Sequence, residues 1–202
     1  MRDIPGENTP ENVQIIIDET KRLTNLVNDM LDLSKLQAGV QELHAVSMNL
    51  TDEIRSIIER YETLLKQDEY DIRFEYREDV IIQGDVIKLD QVIYNLINNA
   101  INYSGEDHQV IVKQLLEQGR VRIEIIDHGP GIEKDKLAYI WERYYKVDKT
   151  HVRSRVGSGL GLSIVKAVLE LHKAEYGVLS EEGVGSTFWF SLPYSKSQNE
   201  DG

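Results

Sequence analysis

Asn95, Asn99 and Asn102 stand at steps of four and three, which puts three side-chain amides on one face of a helix. Asparagine favours caps and turns over helix interiors, so the cluster costs helix propensity. Its neutral amide oxygens suit a hard cation already shared with phosphate oxygens; a solvated polar face is the plain alternative. Further along, Asp127-His128-Gly129-Pro130-Gly131 closes an alternating apolar segment. A carboxylate at a strand end, followed by glycines that let backbone approach a ligand, can accept hydrogen bonds from an exocyclic amine, although Asp and Gly also make ordinary turns. Gly157-Ser158-Gly159-Leu160-Gly161-Leu162-Ser163 opens a helix, and free N–H groups with the positive end of a helix dipole suit a phosphate. Between Tyr144 and Val156, Lys146, Lys149, Arg153 and Arg155 face one acid, Asp148, and a triphosphate would explain that basic stretch as well as solvation does.

These groups need elements to position them. Thr9 as N-cap and Pro10 in the first turn start a long helix through Gln37, with Gly39 as its stop. Val13, Ile16, Thr20, Leu23, Val27 and Met30 recur at alternating steps of three and four, a heptad seam, and Leu26 and Leu33 widen the stripe. A lone helix cannot bury such a stripe, so a partner helix is expected from this chain, a copy or another segment. Leu43–Asn49 reads as a strand, Leu50–Gln67 as a helix, Asp71–Ile82 as a hairpin, and Asp85–Tyr103 as the helix carrying the amides. Strands follow at Val110–Leu116 and Arg120–Ile126, a helix at Gly159–Leu171, and closing strands at Tyr176–Ser180 and Ser186–Leu192. The fold expected is α+β: a two-layer sandwich of a mixed, mostly antiparallel sheet with three helices on one face, plus the long N-terminal helix. Gly129 to Gly161 holds five of fourteen glycines with weak apolar patterning, and reads as a long mobile loop of the lid kind.

Composition bounds the rest. At 202 residues, 41% hydrophobic and 29% charged, the chain holds one packed domain and an appendage. A net charge of −12 disfavours nucleic acid and anionic lipid surfaces. The absence of cysteine removes disulfides and thiolate metal sites and fits a reducing cytoplasm. No run reaches the roughly 18 to 20 apolar residues of a membrane helix.

The order of motifs is more specific than any one of them. The amide helix, the Asp-x-Gly-x-Gly turn, the aromatic segment Ile140-Trp141-Glu142-Arg143-Tyr144-Tyr145, the Gly-x-Gly-x-Gly helix start and Gly183-Val184-Gly185-Ser186-Thr187-Phe188 follow one another. That succession resembles the N, G1, F, G2 and G3 boxes of the sensor histidine kinase catalytic domain, within the superfamily of gyrase, mismatch-repair ATPases and the large heat-shock chaperone. Glu19 to Leu36 resembles the second helix of the dimerisation and phosphoacceptor hairpin. None of His44, His108, His128, His151 or His172 lies in the acceptor context of the first helix, so the chain is expected to be a piece of a longer protein.

The resemblance implies a Bergerat-type ATP-binding fold and a protein-histidine kinase using ATP and Mg2+. By it, Asp127 holds adenine, while Asn99 with Asn95 coordinates the metal bridging the phosphates. Tyr103 and Lys146 lie along the triphosphate, with Lys146 near the γ-phosphoryl and a catalytic member beside the two asparagines. Gly157, Gly159 and Gly161 let a lid fold over, and Asn102, Gly129, Gly131, Ile132, Tyr145, Ser158, Leu160, Leu162 and Thr187 complete the nucleotide site. Asn102 stands where many relatives carry a basic residue, and His128 where asparagine is commoner. Hydrolysing relatives carry glutamate at position 95 to activate water; an amide lacks that basicity, which favours transfer to a protein acceptor over hydrolysis. A non-catalytic nucleotide-binding regulatory module is the other reading. The implied organisation is a disordered or extraneous start at 1–9, the hairpin helix at 10–39, the catalytic domain at 40–194 and a flexible tail at 195–202. The implied partners are a response-regulator receiver domain and a second copy through the helix hairpin, with no nucleic acid. The implied location is cytoplasmic, with membrane attachment only through other segments.

Overall fold

The computed structural model describes residues 9–37, 42–64, 70–145 and 159–196. Helix α1 (Pro10–Gln37) begins where expected, with the Asn12 N–H donating to Thr9 Oγ1 at 3.2 Å. Strand β1 (Val46–Asn49), helix α2 (Leu50–Leu64), β2 (Asp71–Glu75), β3 (Val80–Gly84) and helix α3 (Val86–Tyr103) follow. The chain continues through β4 (Gln109–Glu117), β5 (Arg120–Asp127), helix α4 (Gly161–Leu171), β6 (Glu175–Glu181) and β7 (Gly185–Lys196). The seven strands form one sheet in the order β1-β3-β7-β5-β4-β2, with β6 also paired to β7. All pairs are antiparallel except β2 with β4.

Period-two alternation shows why the sheet has one wet face. Val121, Ile123, Ile125 and Asp127 of β5 are buried, and Arg122, Glu124 and Ile126 between them are not. The buried row meets α3 through Leu89, Val92, Ile93, Leu96, Ile97 and Ala100, and α4 through Ile164, Val165, Val168 and Leu169. Removing each of the larger side chains among these from water stabilises the fold by about 1.5–3 kcal/mol. On the wet face Arg122 lies over the Trp189 ring, 4.0 Å from its centroid. Asp85 caps α3 by accepting the Lys88 N–H at 3.2 Å, so the amide-bearing helix has a fixed start.

Three expectations are corrected. Asp71 to Ile82 is not a hairpin: β2 pairs in parallel with β4, Asp71 opposite Gln109, while β3 lies between β1 and β7. The buried Thr51 hydroxyl accepts the Val80 N–H and donates to Gln114 Oε1, and Gln114 Nε2 reaches Glu78 O at 2.8 Å. This knot fixes the link between β2 and β3 on its own side of the sheet, so the two strands diverge instead of pairing. Secondly, residues 133–145 are not a mobile loop; successive turns there are pegged by buried Ile140 and by Trp141, edge-on to Tyr176 and Phe188 at 5.1 and 5.9 Å. Thirdly, β7 runs two residues past Tyr194, because β3 offers an edge to which Ser195 and Lys196 pair.

Among the described side chains of helix α1, Leu33 is the buried one. Leu33 is 2% exposed and Leu36 packs beside it where α1 meets α4, whereas Val13, Ile16, Leu23, Val27 and Met30 are exposed. No helix among the described residues is long and apolar enough to cross a membrane. Gly39 and residues 197–202 lie outside the described residues.

Candidate functional site

The site lies along α3, between the end of the sheet and the start of α4. Asp127 is the last residue of β5 and is 2% exposed. Its carboxylate accepts backbone N–H bonds from Gly129, at 2.9 Å, and from Ser186. Burial outweighs those bonds and pushes its pKa up to about 6. A Cβ on Gly129 would overlap the Tyr103 carbonyl oxygen, so only glycine lets the turn close on the end of α3. The next residue in the turn, His128, is hydrogen-bonded through Nδ1 to Asp107 Oδ2 at 2.7 Å, and this holds Asp107 below the usual carboxylate range.

Near the middle of α3 the side-chain oxygen of Asn95 lies 3.4 Å from where a Cβ on Gly161 would stand. Gly161 is the first residue of α4, and its N-cap residue, Leu160, makes no side-chain cap bond. The half-buried Asn95 therefore lies at the positive end of a helix dipole, with half-buried Asn99 and Asn102 following on the same face of α3. From Asn95 to Tyr103 the helix advances about 12 Å, at about 1.5 Å per residue. A buried carboxylate that accepts backbone N–H bonds thus stands at one end of this stretch, and amide oxygens beside the positive end of a helix dipole at the other.

Among the remaining sequence candidates, Gly131 is left-handed, with φ of 70°, against the backbone of Glu181, and the Ile132 N–H donates to Ser180 Oγ at 2.8 Å. Tyr145 packs on the core beside Tyr139, with ring centroids 6.0 Å apart. The Gly159 carbonyl accepts the Tyr144 N–H at 2.9 Å, which ties the end of the aromatic segment to the entry of α4. Leu160 is fully buried, so only its backbone can face a ligand, and Leu162 is half-buried against the core. Lys146, Gly157 and Ser158, with Lys149, Arg153 and Arg155, lie outside the described residues.

Thr187 needs correction. It stands opposite Ile126 and Leu179 on the wet face of the sheet, whereas buried Ser186 pairs with Asp127. Alternation assigns the pocket side to Ser186 and takes Thr187 away from it. The sequence shows the Ser-Thr pair but not which member faces Asp127, because that depends on register with a strand some sixty residues earlier.

Comparison with known proteins agrees with this geometry. Residues 84–196, more than half the chain, match the family described as Histidine kinase-, DNA gyrase B-, and HSP90-like ATPase. Residues 1–39 match the His Kinase A (phospho-acceptor) domain. The chain is 34% identical over 198 residues to Sensor protein kinase WalK of Staphylococcus saprophyticus, covering 97% of this chain and 32% of that protein. It is 33% identical over 194 residues to Sensor histidine kinase WalK of Bacillus subtilis, covering 95% and 32%. The chain thus spans about a third of the length of these relatives. Full-length ShkA, solved in complex with AMPPNP, superposes with a TM-score of 0.77 at 28% identity over 93% of this chain and 40% of that one. Histidine kinase ThkA, solved with the response regulator protein TrrA, gives 0.75 at 25% identity over 96% and 53%. With the pocket geometry, the family match across α3 to β7 and these neighbours in agreement, the chain belongs to the histidine kinase-, DNA gyrase B- and HSP90-like ATPase family, as a sensor histidine kinase catalytic domain preceded by a stretch of phospho-acceptor domain.

Proposed function

We propose that this chain is the kinase core of its full-length sensor, binding ATP with Mg2+ and donating the γ-phosphoryl to a histidine of the acceptor domain, for relay to an aspartate of a response regulator. The observation that carries this is the placement of α3: Tyr103 abuts the Asp127 turn and Asn95 abuts the start of α4, so one helix spans from a base-accepting carboxylate to an anion-favouring terminus. The AMPPNP held by ShkA and the regulator held by ThkA support the same reading.

In this reading Asp127 accepts the adenine amine, and Tyr103 and Asn102 line the route to the phosphates. Asn95 and Asn99 supply amide oxygens to the cation, a donor set that fits because hard cations take neutral oxygens when phosphates complete the shell. Magnesium there would neutralise phosphate charge as the bond to the leaving ADP breaks. The N–H groups at Gly161 orient the phosphates, and Lys146 neutralises charge at the γ-phosphoryl. The acceptor imidazole forms the new N–P bond, and the domain contributes position and electrostatics rather than a nucleophile. Asn95 has no useful basicity, so water attack stays slow. The uncovered α1 seam supports pairing with helices of the acceptor domain and a second copy. ATP supply places this part in the cytoplasm, with any membrane attachment elsewhere in the full-length protein.

The test mixes this chain, γ-labelled ATP and a separately made acceptor hairpin carrying its histidine. Labelled histidine is the expected result. ATP binding with no label would leave a regulatory binding module, and steady phosphate release without label would make it a hydrolase.

A further inference from the structure

Asp127 belongs to a row of three polar residues crossing three strands. Ser180 on β6 pairs with Ser186 on β7, and Ser186 pairs with Asp127 on β5. The next two rows on the same face are apolar: Val178, Phe188, Ile125, then Tyr176, Phe190, Ile123. The core therefore changes to polar at the row that walls the pocket.

Ser180 Oγ accepts the Ile132 N–H at 2.8 Å, donates to Gly185 O at 2.9 Å and lies 3.0 Å from Ser186 Oγ. A hydroxyl has one hydrogen and two lone pairs. The hydrogen of Ser180 is committed to Gly185 O and one lone pair to Ile132, so the Ser186 hydroxyl must be the donor between the two serines. Ser186 Oγ is left with lone pairs only, beside a carboxylate that also only accepts.

We infer that Ser180 is a specificity-determining positioning residue: by taking the Ser186 hydrogen it keeps this wall acceptor-only, which selects a 6-amino purine against a 6-oxo purine. The inference rests on the nucleotide-pocket reading above. A 6-amino group offers N–H to the wall; a 6-oxo group turns lone pairs toward lone pairs, and buried acceptors facing an acceptor are costly. Without Ser180 Oγ, the Ser186 hydroxyl is free to rotate and donate to the oxo group.

The test is equilibrium binding of ATP and of inosine triphosphate, each with magnesium, to the chain and to three variants. The unaltered chain is expected to prefer ATP, and Ser180→Ala to narrow that preference by about tenfold. Ser180→Cys, near-isosteric but with only weak hydrogen-bonding capacity, should narrow it in the same direction even if the alanine variant folds poorly. Ser180→Thr keeps the oxygen and should retain the preference. A general loosening of the fold would weaken both nucleotides together, so an unchanged ratio in the cysteine and alanine variants overturns this inference while ATP binding by the unaltered chain still supports the pocket. Failure of the unaltered chain to bind either nucleotide would remove the pocket, and this inference with it.

Discussion

The two ends of the pocket are built differently. Around Asp127 every contact is short and fixed: a buried carboxylate, two backbone donors, and a glycine turn closed on the end of α3. Around Asn95 there are half-buried amides and a helix start whose N-cap residue, Leu160, makes no side-chain cap bond. A rigid buried end suits recognition, because its groups lose no freedom when a ligand arrives. An end of amides and a helix dipole suits charge that shifts during reaction, since electrostatic stabilisation counts most where charge develops. On the proposed reading, affinity comes mainly from the carboxylate end and rate mainly from the amide end.

Substituting each end should separate the two quantities. Asn99→Ala is expected to cut phosphoryl transfer to a supplied acceptor on the order of a thousandfold, with a much smaller loss in nucleotide binding. Single-turnover transfer measured beside calorimetry checks this, and proportional losses in rate and affinity would erase the division between the ends. Asp127→Ala should weaken ATP, ADP and adenosine alike, on the order of a hundredfold, because the amine loses a charged acceptor. If adenosine were unaffected while ATP suffered, the carboxylate would be acting on the phosphates and the two ends would be exchanged.

How far these ends were legible in the sequence follows from the range of the forces that make them. Helix α3 was readable because Asp85, its apolar stripe and its amides are neighbours within a few turns. The five motif boxes were readable for the same reason, each being a short local pattern. The β2–β3 link was misread because an alternating segment looks the same whether it pairs with its neighbour or with β4; Thr51 and Gln114, more than sixty residues apart in chain, decide it. Residues 133–145 do not fit the reading of a mobile loop because two pegs, Ile140 and Trp141, hold them where periodicity is weak. Ser186 was passed over for Thr187 because only strand register shows which one shares a face with Asp127.

Acidity gives the finest separation, because at the carboxylate end the proton should act with opposite signs on folding and on binding. Asp127 titrates at about 6 in the fold against an ordinary 3.8, so the folded state holds its proton more tightly than the unfolded chain does. The sign is that of a raised pKa: the stabilising contribution is complete below the unfolded value and is lost as pH rises through about 6, a difference of about 3 kcal/mol. An amine-bearing ligand needs the ionised carboxylate, so ATP affinity should fall as pH drops below about 6, by at most about tenfold per pH unit. Thermal melts of the ligand-free chain and ATP titrations, both run from about pH 5 to about pH 8 in parallel with Asp127→Asn, measure the two trends. In Asp127→Asn both should flatten, since the amide does not titrate. A pH dependence of binding that survived that substitution would belong to another group, and His128 with Asp107, hydrogen-bonded beside the turn, would be the first pair to examine.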